Sequence, residues 1–180
     1  MPAPKIIPRY TSDDYQKWDG EWELWDGIPI AMTPSPFGPH QRMLAGLSYC
    51  FVDAIRKAGC RDCEVVVELD WIVDPHTVVR PDLSVVCRAD LERFIQQPPA
   101  LIIEILSPTT SHRDQVEKRA LYQQQGVGHY LIADPSTSRI VRYSIEANGQ
   151  YKTDNINEWT SSFDLANDCN IKVDFSSLSN

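Results

Sequence analysis

Apolar positions in this chain follow one helical stretch and then a succession of short strand-like runs. After Pro39, Leu44, Leu47, Phe51 and Ile55 recur at spacings of three and four, which predicts a helix closed by Gly59. Residues 64–73 and 78–87 are rich in Val and Ile and read as two strands around an Asp74-Pro75-His76 turn. Asp26-Gly27, between runs at 21–25 and 28–32, is the favoured dipeptide of a two-residue hairpin. Residues 101–106 (Leu-Ile-Ile-Glu-Ile-Leu), bounded by Pro98-Pro99 and Pro108, read as a buried strand. Short helices are expected near 12–18 and 90–95, and a longer one from Ser111 to about Gln125, ending at Gly126. Strands at 129–133 and 139–145 flank Asp134-Pro135-Ser136, and weaker patterns leave strands at 151–153 and 171–175.

This order predicts an α/β (α+β) sheet domain. One domain over residues 1–180 suits the length, and no repeat or linker divides it. A net charge of −8 argues against a general polyanion-binding surface. It leaves room for a local basic edge, from Arg56, Lys57 and Arg61 or from Arg113, Lys118 and Arg119, and for a metal that brings its own charge. The N-terminus shows no apolar signal region, and no run approaches the length of a membrane helix. The five cysteines are therefore read as reduced thiols of a cytoplasmic protein, the Cys60-x-x-Cys63 spacing included.

Glu104 is the chemical problem of the 101–106 run. An ionised carboxylate is costly to bury without compensation, so Glu104 needs a lysine, an arginine or a metal. Side chains alternate faces along a strand, so Ile102, Glu104 and Leu106 share one face, as do Asp82, Ser84 and Val86 in the preceding strand. If the two strands are neighbours in register, Asp82 and Glu104 converge. Paired carboxylates either raise a pKa or recruit a cation. Mg²⁺ takes such oxygens, and the carbonyl of Ile105 would add another. At about 100° per residue, Lys118 falls between Leu121 and Tyr122 around its helix, with Val116 and Ala120 as the competing inward face.

An ordered set of motifs resembles a known family. It comprises Glu23-Leu24-Trp25-Asp26-Gly27, Pro39-His40, Val79-Arg80-Pro81-Asp82, Ile103-Glu104-Ile105-Leu106-Ser107-Pro108-Thr109-Thr110, Asp114 to Lys118, Tyr122 to Gly126-Val127, His129-Tyr130 and Asp134-Pro135. Together they look like the Uma-type restriction endonuclease family of the PD-(D/E)XK nuclease superfamily. The family-like core covers about 15–145, with 146–180 as a C-terminal extension of the same domain. The resemblance implies a restriction-endonuclease-like fold, a mixed central sheet flanked by helices, and cleavage of DNA phosphodiesters with Mg²⁺, Mn²⁺ being a substitute.

By the same resemblance, Asp82 and Glu104 match the two acidic residues of the superfamily. Leu106 stands where its lysine usually does, and Lys118 looks like the relocated lysine. Glu23 resembles an additional acidic residue that would hold a metal-bound water or a second ion. His40 matches the histidine opening the first long helix, a residue type suited to phosphate contact or proton transfer. A homodimer pairing two sites across a duplex is a further expectation. The rival reading is a non-catalytic module that keeps the fold and uses the carboxylate–lysine cluster structurally. A third is a metal-dependent hydrolase of other phosphoesters.

Overall fold

The computed structural model describes residues 8–32, 38–88, 91–107, 113–166 and 169–179. After the short α1 (Ser12–Tyr15), strands β1 (Trp22–Trp25) and β2 (Ile28–Ala31) form the expected hairpin. Trp25 pairs with Ile28, and both turn residues take positive φ, Asp26 at 47° and Gly27 at 81°. That backbone suits the right-handed twist of a hairpin and favours Asp-Gly. Helix α2 (Gly38–Ala58) buries Leu44, Leu47, Phe51 and Ile55 together, and Gly59 ends it in the left-handed region at φ 73°.

The two long Val-rich runs are each broken in two. Residues 63–74 give β3 (Cys63–Val67) and β4 (Trp71–Asp74), separated at Glu68, whose φ is 49°. Residues 77–87 give β5 (Thr77–Val79) and β6 (Leu83–Cys87), separated at Arg80-Pro81-Asp82. Pro81 lacks an N–H for a ladder, so the strand ends there. The breaks have an architectural result: β4 and β5 join a four-stranded sheet of order β2-β1-β5-β4, while β3 and β6 join a six-stranded one. The helix expected at 90–95 is absent over the described residues 91–95, where Ile95 instead bridges to Trp71.

Strand β7 (Leu101–Ile105) is buried at every position. It pairs antiparallel with β6 and parallel with β8 (His129–Asp134), which continues to β9 (Arg139–Ile145) and β10 (Tyr151–Ile156). The mixed sheet has the order β10-β9-β8-β7-β6-β3. Leu101, Ile103 and Ile105 face α2, while Ile102 faces Tyr122, Trp71 and Val79 on the other side. A π-helical turn (Arg113–Lys118) leads into α3 (Arg119–Gln124) on that second face. The Ser111 helix-entry pairing with Asp114 lies outside the described residues. A last hairpin of β11 (Thr160–Asp164) and β12 (Asn170–Asp174) covers α2 with Phe163, Ile171 and Val173. Polar TSSFD gave β11 no sequence signal, because only Phe163 is inward and buried.

The expectation of reduced thiols is corrected. Cys60 is bonded to Cys169 and Cys63 to Cys87, leaving Cys50 as a buried free thiol. Cys63 and Cys87 are register partners on β3 and β6, a proximity that only the sheet creates. Disulfides persist in oxidising surroundings, so the thiol argument for a cytoplasmic location falls away. Among the described residues no helix is long and apolar enough to cross a membrane. Peptide mapping without reductant is expected to recover the 60–169 and 63–87 pairs. Reducing them should lower stability by about 2–4 kcal/mol per bond, read from denaturant midpoints with and without reductant.

Candidate active site

The site is assembled where the chain passes from one sheet to the other. The β6–β7 register pairs Leu83 with Ile103 and Ser84 with Ile102. Continuing it by one residue sets Asp82 opposite Glu104, the neighbour relation the alternation argument required. Glu104 projects from β7 on the same side as Ile102 and is 2% exposed.

Lys118 reaches it from the end of the π-helical turn, with its Nζ 2.9 Å from Glu104 Oε1. Lys118 and Tyr122, one turn apart, lie on one helix face. The Tyr122 hydroxyl donates to the same Glu104 oxygen at 2.8 Å. Val116 and Ala120 are exposed, which eliminates the competing inward face. Burial of Lys118 also removes it from any basic surface edge. Burial, followed by the nearby Glu104 charge, raises the Tyr122 phenol well above its ordinary value, so it stays a donor. Its ring is fixed between Trp71, stacked at 5.9 Å, and Tyr130, edge-on at 5.1 Å.

Glu23 completes the cluster from β1, where it is 1% exposed rather than surface charge. Its Oε1 lies 3.1 Å from Lys118 Nζ and accepts the Arg80 backbone N–H at 3.0 Å. Its Oε2 accepts the Trp25 indole N–H at 3.0 Å. Trp25 stands two residues along the same strand and so on the same face. The Arg80 carbonyl accepts from Lys118 at 3.3 Å. One ammonium is thus held between two buried carboxylates and a peptide carbonyl.

Asp82 has a different set of partners. Its Oδ2 accepts the Ile105 backbone N–H at 2.6 Å, and its Oδ1 lies 3.4 Å from His40 Nε2. His40, in the first turn of α2, is buried. The Asp82 side chain is 20% exposed, against 2–6% for those of Glu23, Glu104 and Lys118. Asp82 is therefore the carboxylate of this group that solvent reaches most readily. Leu106, at the usual lysine position, packs partly buried in the apolar cluster of Tyr122 and Tyr130. Among the described residues, no group of three or more His, Cys, Asp and Glu side chains is arranged to hold a metal ion.

All five sequence candidates fall in this region: Lys118 contacts Glu23 and Glu104, while Asp82 contacts His40 and the amide of Ile105. Sequence reasoning assigned no role to Tyr122, Trp25 or the Arg80 peptide. The i, i+4 spacing from Lys118 to Tyr122 and the i, i+2 spacing from Glu23 to Trp25 carried a signal for the first two. The Arg80 peptide carried none, because main-chain contacts leave no mark on side-chain patterns.

Removing the ammonium leaves two buried carboxylates uncompensated. Lys118→Met is expected to cost about 3–5 kcal/mol in chemical denaturation. Burial pushes the Glu23 carboxyl up, but the Lys118 charge and the Trp25 and Arg80 hydrogen bonds outweigh it, holding the pKa below the ordinary glutamate value of 4.5. A depressed folded pKa supplies stability above the unfolded value that is lost as pH falls through the folded one. Glu23→Gln should therefore flatten the decline of stability below pH 4.5, measured by thermal melts across the acid range.

Comparison with known proteins places the chain by family and by fold. A family model described as "Uma2: Putative restriction endonuclease" matches residues 12–174. The fold is shared with the crystal structure of a putative nuclease belonging to DUF820 from Anabaena variabilis ATCC 29413. That relation has a TM-score of 0.70 at 20% identity and covers 88% of this chain and 90% of that one. No curated protein matches. With a family match over most of its length and a nuclease-like mixed sheet, this chain belongs to the Uma2 restriction endonuclease family.

Proposed function

We propose that this nuclease-family chain is a divalent-metal-dependent DNA endonuclease. The observation that carries the reading is Lys118 Nζ lying 2.9 Å from Glu104 Oε1. It supplies from the next helix the cation that Leu106 leaves missing on the strand. Mg²⁺ and Mn²⁺ favour hard oxygens, and Mg²⁺ commonly uses one or two carboxylates plus water and substrate phosphate. Asp82 and Glu104 on adjoining strands fit that demand, and the carbonyl of Ile105 would be a further donor. Glu23 fits it less well: both of its oxygens accept from Lys118, Arg80 and Trp25, and its side chain is 2% exposed against 20% for Asp82.

Bound at Asp82 and Glu104, the cation would supply an acidified water and an electrophilic contact to the phosphate. The remaining roles belong to the chain itself. Lys118 offers its ammonium to the negative charge that develops on the phosphate oxygens. Glu23 positions that ammonium. Tyr122 fixes the Glu104 rotamer, and His40 with the Ile105 amide orients Asp82. The low-dielectric surroundings strengthen each of these charge interactions. A symmetric dimer would present two such sites to the two strands of a duplex.

The structural reading of the cluster draws on the burial of Lys118, which is 5% exposed. It requires that no divalent ion bind and that no DNA be cut. The test is cleavage of plasmid and linear DNA with Mg²⁺ or Mn²⁺ by the wild type, Asp82→Ala and Glu104→Ala. Cleavage by the wild type and its abolition in both variants is the expected result. His40→Ala should fall about 10–100-fold, the usual cost of losing a partner that orients a ligand. Wild-type protein that cuts no DNA with either ion, and titrates no divalent ion by calorimetry, would overturn the proposal in favour of the structural reading.

A further inference from the structure

A cleft of 290 Å³ adjoins the site and has no part in the chemistry above. Arg80 connects the two. Its peptide holds Glu23 and Lys118, while its side chain lines the cleft. A second link comes from Glu68 on the cleft wall, whose backbone N–H donates to the Asp82 carbonyl at 3.1 Å. The cleft is thus built on the residues that flank Asp82 on both sides of the sheet junction.

Its lining combines flat surfaces with charged hydrogen-bonding groups. Trp18, Trp22 and Phe94 supply aromatic rings, and the Arg93 guanidinium lies 5.0 Å from the Phe94 centroid. Asp70 is braced by the Tyr15 hydroxyl at 2.7 Å and by Arg80 Nε at 2.6 Å, and Arg80 also pairs with Glu21. Aromatic and guanidinium planes beside fixed polar groups are the means by which proteins hold unstacked bases. The small volume suits one planar heterocycle. The charge of the chain points the same way. With a net charge of −8, a broad phosphate-binding footprint is missing, so contacts to a base have to carry more of the affinity.

We propose that this cleft seats one unstacked nucleobase of the substrate strand, next to the bond cut at Asp82 and Glu104. The proposal rests on the nuclease reading and adds a specificity element to it. The experiment uses the full chain carrying Asp82→Ala, so that bound strands stay intact. Short synthetic DNA strands, alone and annealed, each lack the base at a different single position, and binding is followed by fluorescence anisotropy.

Loss of the base at one position is expected to weaken binding ~10-fold, with the other positions close to the intact strand. Adding Phe94→Ala or Arg93→Ala should weaken the intact strand similarly and erase the positional difference. Circular dichroism checks that these variants are folded, and the abasic series itself requires no change in the cleft. Binding that is indifferent to the position of the missing base overturns the cleft proposal alone. If no strand binds, the cleft proposal also falls, and Mg²⁺-dependent cleavage by the wild type then decides whether the nuclease reading falls with it.

Discussion

The ammonium of Lys118 between Glu23 and Glu104 is the interaction on which the rest of the site depends. Two carboxylates below 3% exposure would repel each other and resist burial if left alone. The lysine lets both remain inside, and its own charge is tolerable there only because both are present. Each of the three comes from a different element: β1 of the small sheet, β7 of the large sheet, and the turn entering α3. The cluster therefore ties together both sheets and the turn entering α3. It is also demanding, since buried ion pairs stabilise only when their geometry and remaining hydrogen bonds are satisfied. Trp25, Tyr122 and the Arg80 peptide meet that condition.

Much of this was legible before the fold was known, and the limits have physical causes. Helix α2 and the Asp26-Gly27 hairpin are local features, set by periodicity and by φ-permissive turn residues, so sequence recovers them. Strand β7 was legible because an apolar run between prolines has few alternatives. The Val-rich runs misled because β-propensity continues across Glu68 and Pro81 while the backbone does not. A single residue at positive φ, or one missing N–H, sends the chain into another sheet without altering the apolar pattern. The two disulfides were unreadable for a related reason, since partners 24 and 109 residues apart meet only through sheet register and hairpin docking.

The site shows the same division. Alternation along β7 gave the facing of Glu104, whereas the helical wheel left two inward faces open and only the family resemblance favoured the one carrying Lys118. The structure agrees with the first and resolves the second, with Lys118 buried and Val116 and Ala120 exposed. The π-helical turn before α3 was not foreseeable, yet Lys118 lies at its end. Such turns are frequent at functional sites, where an extra residue shifts the side chains that follow. The depth of Glu23 was likewise hidden. It is inward because β1 packs over the large sheet, which the isolated strand does not reveal.

The passage through Arg80-Pro81-Asp82 gives the molecule a mechanical property. These residues separate β5 in the small sheet from β6 in the large one, as residues 68–70 separate β3 from β4, so two three-residue passages of backbone join the sheets side by side. Glu23 rides on one sheet and Glu104 on the other, with Lys118 spanning them. A rotation of one sheet against the other would lengthen these contacts and shear the apolar cluster in which Trp71 and Val79 of the small sheet meet Ile102 and Tyr130 of the large one. The ionic cluster therefore spans the seam between the two sheets together with that apolar contact, and the Arg80 peptide ties it to the wall of the neighbouring cleft.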